Sequence, residues 1–237
     1  MESRKVLRPA PLIVAMAAVA ILVGLGVWQL DRAVQKKHLL SEFTAHSREL
    51  SIRVTAQPLD PDRAYFPAHA RGEFDSAGQF LLDNRAHKGQ PGFHVLTPFR
   101  INDSNVHILV DRGWIPLTGT RETLPRPQSP NGMREIRGQL AAPTPGFTLE
   151  REAPPFDAPL RQNLDLAGLA NLAPYPLQPY VLRLGPDEPG GFVREWPAPA
   201  SLSVSRHQAY AIQWFAMAVV FVGVFVALAR RERRKIV

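Results

Sequence analysis

The sequence predicts a membrane α plus extracytoplasmic α+β protein: two terminal transmembrane helices flanking a mainly antiparallel β domain. Three observations carry this. The stretches Ala10 to Leu30 (APLIVAMAAVAILVGLGVWQL) and Ala209 to Ala229 (AYAIQWFAMAVVFVGVFVALA) contain no Lys, Arg, Asp or Glu. At about 1.5 Å of rise per residue, each can cross about 30 Å of hydrocarbon. Of the 23 prolines, all but Pro9 and Pro11 lie between these two stretches, a density that opposes a helical domain there. Between Tyr65 and Pro116, short β-prone runs alternate with clusters of Gly, Asn and Asp.

Charge sets the expected orientation. The formal net charge is +7, but it is not spread along the chain. Arg4, Lys5 and Arg8 outweigh Glu2 at the start, and Arg230, Arg231, Arg233, Arg234 and Lys235 outweigh Glu232 at the end. The middle is close to neutral, which argues against nucleic acid as the partner. Basic residues beside both spans predict that both termini are cytoplasmic. The expected organisation is therefore a tail over 1–9, a first span over 10–30, an outer domain over 31–206, a second span over 207–229 and a basic tail over 230–237.

A signal peptide is the rival reading of the first span, given its basic start and the Ala15-Met16-Ala17 run. The apolar stretch continues to Leu30, longer than a signal core, so an uncleaved anchor is expected. The start is not Arg- and Ser-rich as a transit peptide is, and a bacterial inner membrane with a periplasmic domain fits best. There is no cysteine, which excludes disulfides, covalent c-type haem attachment and thiolate metal sites. The outer domain must rest on its apolar core and sheet hydrogen bonds.

Along the chain, Asp31 to Leu50 reads as helix leaving the membrane, with Ala33, Leu39, Leu40 and Phe43 leaning to one side. Ser51 to Pro61 reads as short strand or loop. Arg71 to Phe74 ends one strand, Ser76-Ala77-Gly78 turns, and Gln79 to Leu82 begins the next. The turn formers of Asp83 to Gly92 then precede strands at Phe93 to Arg100 and Val106 to Trp114, separated by Asn102 to Asn105. This is an antiparallel meander. In the last strand His107, Leu109 and Asp111 alternate with Ile108 and Val110, so one face should be more polar. Leu117 to Asn131 reads as loop, Met133 to Leu140 as strand, Pro143 to Pro159 as mostly irregular. Leu164 to Leu172 is a short helix capped by Asn163, and Gln178 to Leu184 a strand. Gly185 to Pro199 returns to the membrane through turns.

Several groups invite a functional reading. His207, Tyr210 and Trp214 recur at helical spacing and share a face at the start of the second span. Trp28 stands at the same end of the first span. An aromatic belt at the membrane surface explains Trp28 and Trp214. It explains His207 less well, because both ring nitrogens need partners at that depth. A neutral His nitrogen is also a good axial ligand for haem iron, and Arg206 beside it could meet a propionate. A polar helix cap is the commoner role, and these residues alone leave both open. Asp111-Arg112-Gly113-Trp114 and Asp83-Asn84-Arg85 close predicted strands, and read as Asp–Arg pairing with a glycine that admits a turn, or as a partner-binding surface. His69, His87, His94 and His107 match no metal-ligand spacing. No phosphate-cradling glycine loop or nucleophile elbow is present, so no ordinary enzyme chemistry is expected. Ala20 and Gly24 offer a small-residue face where the spans could approach.

Four motifs in order resemble the Surfeit locus protein 1 family. Leu25-Gly26-Val27-Trp28-Gln29-Leu30-Asp31-Arg32 is similar to its first-span signature, and Gly72-x-Phe74 to its first strand motif. Val110-Asp111-Arg112-Gly113-Trp114-Ile115-Pro116 is similar to its central motif, and His207-x-x-Tyr210-Ala211-x-Gln213-Trp214-Phe215 to the start of its second span. The resemblance implies a non-enzymatic assembly factor for haem-copper cytochrome c oxidase, binding haem a non-covalently and transiently. It implies His207 as haem contact, with Arg206, Tyr210, Trp214, Trp28 and Gln29 around it. Arg85, Asp111, Arg112, Gly113 and Trp114 are then structural or partner-binding. Implied partners are the large haem-bearing oxidase subunit, haem a synthase, other assembly factors and the lipid bilayer. A membrane scaffold that stabilises the large subunit without binding haem is the alternative.

Overall fold

Uninterrupted apolar residues make the first element. The computed structural model describes residues 9–119, 123–142, 154–196, 198 and 204–234. Helix α1 spans Pro9–His46, with Pro9 and Pro11 in its first turn, where a missing N–H costs nothing. It runs without a break from the apolar stretch through the amphipathic Asp31–His46 segment. Contacts divide the chain into two compact units: Met1–Ser41 with Ala198–Val237, and Glu42–Pro197.

The second unit is a sheet closed on itself. Its strands are β1 (Ile52–Arg53), β2 (Pro67–Phe74), β3 (Phe80–His87), β4 (Gln90–Ile101), β5 (His107–Pro116), β6 (Arg134–Ala141), β7 (Leu160–Arg161) and β8 (Leu177–Leu184), with helix α2 (Leu166–Leu172) between the last two. The hydrogen-bonded order is β1-β2-β6-β8-β5-β4-β3-β7, and β2 also pairs with β4. That extra pairing, Gly72↔Ile101 to Phe74↔Phe99, closes β2-β6-β8-β5-β4 into a five-stranded barrel. Closure needs a residue without a side chain: a Cβ on Gly72 would run into the Arg100 carbonyl oxygen.

Inside the barrel, Ala68, Ala70, Phe99, Ile101, Ile108, Val110, Ile136, Leu140, Leu182 and Leu184 make one core cluster. Burial of each large aliphatic or aromatic side chain there contributes about 1.5–3 kcal/mol. Outside it, α2 covers a second cluster with Leu166 and Leu169 on Leu82, Leu96, Leu109 and Val181. The end of α1 packs on the same unit. Phe43 meets Tyr65 edge-on at 5.3 Å, and His46 Nδ1–H donates to the Ala64 carbonyl at 3.0 Å. Leu39, expected on this apolar side, is exposed.

The meander of β3, β4 and β5 is present, and several details add to or depart from the sequence reading. Strand β3 continues through most of the Asp83–Gly92 segment to His87. Asn84 takes up its turn tendency as a left-handed residue in a bulge, and the hairpin itself is only Lys88-Gly89, both with positive φ. Strand β8 lies parallel to β5, inserted between β5 and β6. Strand β5 has no water-facing side: His107 to Trp114 are all buried, the barrel core covering one face and α2 with the returning chain the other. The cap of α2 is Asp165, whose carboxylate accepts from Gly168 N, while Asn163 accepts from Leu164 N before the helix begins. The tail over 1–8, Lys235 and residues 143–153 of the Pro-rich segment lie outside the described residues.

Helix α3, Val204–Arg234, completes the first unit. Both α1 and α3 are long and apolar enough to cross a membrane, and only 11% of each apolar stretch is buried by protein. The core helix of a water-soluble protein would be mostly buried, so the uncovered apolar surface fits a bilayer. The chain is thus built as a membrane protein with a β-rich domain between two spans.

Candidate functional site

Helices α1 and α3 meet where the Phe215 ring packs on Gly26 and where Gln29 meets His207. Covered positions on α1 include Ala15, Leu22, Gly26, Gln29 and Ala33; on α3 they include His207, Ala211, Trp214, Phe215 and Ala218. Steps of three, four and seven keep each set on one face. The Phe215 ring lies where a Cβ on Gly26 would stand, 2.5 Å from its nearest carbon. Further along, Gln29 Oε1 lies 2.7 Å from His207 Nδ1. As α1 ascends from Gly26 to Gln29, its contacts on α3 descend from Phe215 to His207, so the helices are antiparallel. The close approach is at Gly26 and not at Ala20 and Gly24: both are exposed, and Gly24 has open space around it. Those two occupy a different face of the helix from Gln29 and Ala33.

The other residues expected around His207 are less gathered. Trp214 is part-buried in the seam. Trp28 is 50% exposed, with Arg32 of its own helix over its ring at 5.7 Å, and Tyr210 is 48% exposed. Arg206 is exposed next to His207. The structure therefore joins Gln29 to His207 and leaves Trp28 and Tyr210 on outward-facing surface.

A second constellation lies in the barrel unit. Arg112 is 1% exposed. Its Nε donates to the Gly190 carbonyl at 2.8 Å, Nη1 to Gln79 Oε1 and Ser129 Oγ at 2.9 Å, and Nη2 to the Gln128 carbonyl at 2.8 Å. Phe74 and Phe192 flank the guanidinium at 5.3 and 5.0 Å. Every hydrogen-bond acceptor is neutral. Burial, with Arg134 nearby, pushes its pKa down to about 10, so the group stays charged at neutral pH.

The expected Asp111–Arg112 pair does not form. Neighbours on a strand point to opposite faces. Asp111 Oδ2 instead meets His94 Nδ1 at 2.8 Å, and its Oδ1 accepts from Gly113 N at 3.0 Å. Gly113 has φ 109°, and a Cβ there would stand 2.6 Å from the Val193 carbonyl oxygen, so a glycine is required. Trp114 pairs through its backbone with Val193 and donates its Nε1–H to the Arg85 carbonyl at 2.9 Å. Arg85 thus contributes its backbone, its side chain being half-buried. The motif ties β5 to the 127–131 loop, the 190–193 return and β3.

Gln79, Gln128, Ser129 and Gly190 do not stand out in the sequence, and His94 stands out there only as one of four histidines without a metal-ligand spacing. They are scattered through loops and, for His94, within β4, and only the fold brings them to Arg112 and Asp111. Gly26 has a readable signal: its three-residue spacing from Gln29 puts both on one face. Among the described residues no three His, Asp or Glu side chains converge as a metal site.

A five-stranded barrel, set along the chain between two apolar helices that pair antiparallel through a His–Gln contact, defines a membrane-held β-barrel protein. The chain belongs to the SURF1 family, whose model, described as "SURF1 family", matches residues 16–219. It is 30% identical over 112 residues to Surfeit locus protein 1 of Mus musculus, covering 41% of this chain and 37% of that protein. It is 28% identical over 139 residues to the SURF1-like protein of Caenorhabditis briggsae, covering 48% and 43%. With the SURF1-like protein of the bacterium Rickettsia felis it shares 30% identity over 104 residues, covering 43% and 45%. These alignments span less than half the length of each relative.

Proposed function

We propose that this protein is an assembly factor for haem-copper cytochrome c oxidase that holds haem a through His207 at the outer membrane surface. The observation that carries the reading is the His207 Nδ1 contact with Gln29 Oε1 at 2.7 Å. A metal-ligating His commonly engages its other ring nitrogen in such a bond. The residues fit the group on that ground: Nε2 is the nitrogen to meet iron, and Trp214 supplies an adjoining apolar surface. Haem a supplies a redox iron in a largely apolar ring with two propionates, which suits a boundary between lipid and water. Arg206 is the cation adjoining His207 for a propionate. Held through His207 alone, without covalent attachment, such cargo would remain free to leave.

In this reading both termini are cytoplasmic, the barrel is periplasmic, and the membrane is a bacterial inner membrane. The receiving partner is the large oxidase subunit; haem a synthase is the natural donor. A second reading is favoured by Trp28 and Tyr210, whose outward faces would suit contact with another membrane helix. There the protein is a scaffold that stabilises the large subunit and carries no haem. Purification in mild detergent from cells making haem a, followed by pigment extraction, separates the two. Haem a in the wild type, lost in His207→Ala with the barrel still folded, supports the first. Pigment-free protein that still co-purifies the large subunit supports the scaffold.

A further inference from the structure

We infer that Gln29 is a positioning residue that fixes the tautomer of His207, keeping Nδ1 protonated and Nε2 bare to ligate a metal ion. The inference rests on the haem reading for its purpose, but its chemical content does not require haem. A neutral imidazole has one N–H and one lone pair. A carbonyl oxygen only accepts, so Gln29 Oε1 at 2.7 Å from Nδ1 requires the proton on Nδ1. The lone pair is then on Nε2. Reversing the amide would present N–H to Nδ1, move the ring proton to Nε2 and disable it as a ligand.

The placement of Gln29 is built into the helix seam. Gly26, one turn earlier, admits the Phe215 ring; Ala33, one turn later, is buried. The close approach at Gly26 brings α1 near enough for a glutamine to reach the imidazole on the opposing helix. The neighbouring seam residues Ala211, Trp214 and Phe215 offer no carboxylate that could replace the amide. A neutral acceptor also suits transient loading. A carboxylate would give the imidazole more anionic character, strengthening the iron bond and opposing release.

The test begins with haem-free protein in detergent, labelled with ¹⁵N-histidine. The His207 signals, identified by their loss in His207→Ala, should show a protonated Nδ1 and a bare Nε2. Gln29→Leu should shift the proton population toward Nε2. A wild-type ring protonated on Nε2, or a tautomer unchanged in Gln29→Leu, overturns the inference. Haem titration is the second arm. Gln29→Leu should weaken binding about 10- to 100-fold, as loss of an outer-shell partner commonly does. Gln29→Glu should restore affinity and lower the reduction potential of the bound haem, which a merely structural glutamine would not do. If His207→Ala binds haem as the wild type does, the haem reading fails while the tautomer result stands by itself. If His207→Ala loses haem and Gln29→Leu keeps both wild-type affinity and tautomer, only the role of Gln29 fails.

Discussion

Asp111 and Arg112 adjoin on β5 and bond in opposite directions: the carboxylate to His94 at 2.8 Å, the guanidinium to Gln79, Gln128, Ser129 and Gly190. A buried ion pair would have tied the two residues only to each other. Their separation lets one strand anchor two sides of the barrel, and it shifts the cost of burying the charge onto neutral acceptors.

Arg112→Lys and Arg112→Met should therefore be almost equally harmful. Each takes the Arg112 donors from the part-buried Gly190 and Gln128 carbonyls, at about 1–3 kcal/mol per group. A lysine keeps the charge but has three donors on one nitrogen and cannot reproduce four bonds sent in fixed directions from three nitrogens. Both variants should lose at least about 3 kcal/mol in urea unfolding followed by tryptophan fluorescence. A lysine variant of wild-type stability would mean that the charge alone suffices.

Gly113→Ala tests the return of the chain along β5. With φ at 109° and the Val193 carbonyl in the way, the alanine must move the Trp114–Val193 bridge. The expected loss is about 1–3 kcal/mol. Amide exchange at Trp114 and Val193 should quicken more than at Ile108 or Val110; equal protection throughout would refute the local origin of the strain.

Much of the fold is legible in the residues alone. The two spans announce themselves because lipid demands long uncharged helices, and the β3–β4–β5 meander because its turns carry Gly, Asn and Asp. Barrel closure is not legible: it depends on Gly72 meeting Arg100, two residues whose approach is decided by twist and register over the whole sheet. The burial of β5 on both faces is hidden for the same reason, since α2 and residues 190–193 reach it from far along the chain. At the helix pair, the sequence points to Gln29 and His207 but does not say which residue bonds to which. Ala20 and Gly24 look equivalent to Gly26 because small size is visible in a sequence and facing direction is not.

His107 gives a pH dependence. It is 3% exposed, stacked on Tyr175 at 3.5 Å, and its Nδ1–H donates to the Asn105 carbonyl. Burial holds its pKa below 6.5, against the raising effects of Asn105 and Asp75. Well above pH 6.5 both folded and unfolded states are neutral and the residue adds no slope. Below it the unfolded chain takes a proton that the folded ring resists, so stability falls until the folded pKa is passed. His107→Phe keeps a ring on Tyr175 and removes the titration. Its melting temperature should vary less between about pH 7 and about pH 5 than that of the wild type; parallel curves would assign the acid sensitivity elsewhere.

The proposed orientation makes its own prediction. Basic residues flank both spans on the sides nearest the chain ends, a pattern that would retain the two tails in the cytoplasm. Alkaline phosphatase fused after Gln128 should be active and a fusion at the C-terminus inactive. The reverse pattern would place the barrel in the cytoplasm and remove the periplasmic reading.

The helix seam is the most discriminating place to mutate. Gly26→Val puts branched carbons where the Phe215 ring lies, with 2.5 Å available to the first of them. The helices must part or the ring must turn, and overpacking of this kind costs about 1–3 kcal/mol. Phe215→Ala alone leaves a void against Gly26 and should also destabilise the pair. Together the two changes should compensate, because the new valine fills the space the phenylalanine vacates. A double-mutant cycle on thermal unfolding in detergent should thus show coupling of about 1 kcal/mol or more. The same variants separate packing from polar contact. If Gly26→Val disturbs the His207 ring signals and Phe215→Ala restores them in the double variant, the seam positions Gln29 for the histidine. Strict additivity, with His207 unmoved in every variant, would mean that the Gly26–Phe215 contact plays no part in holding the two helices in register.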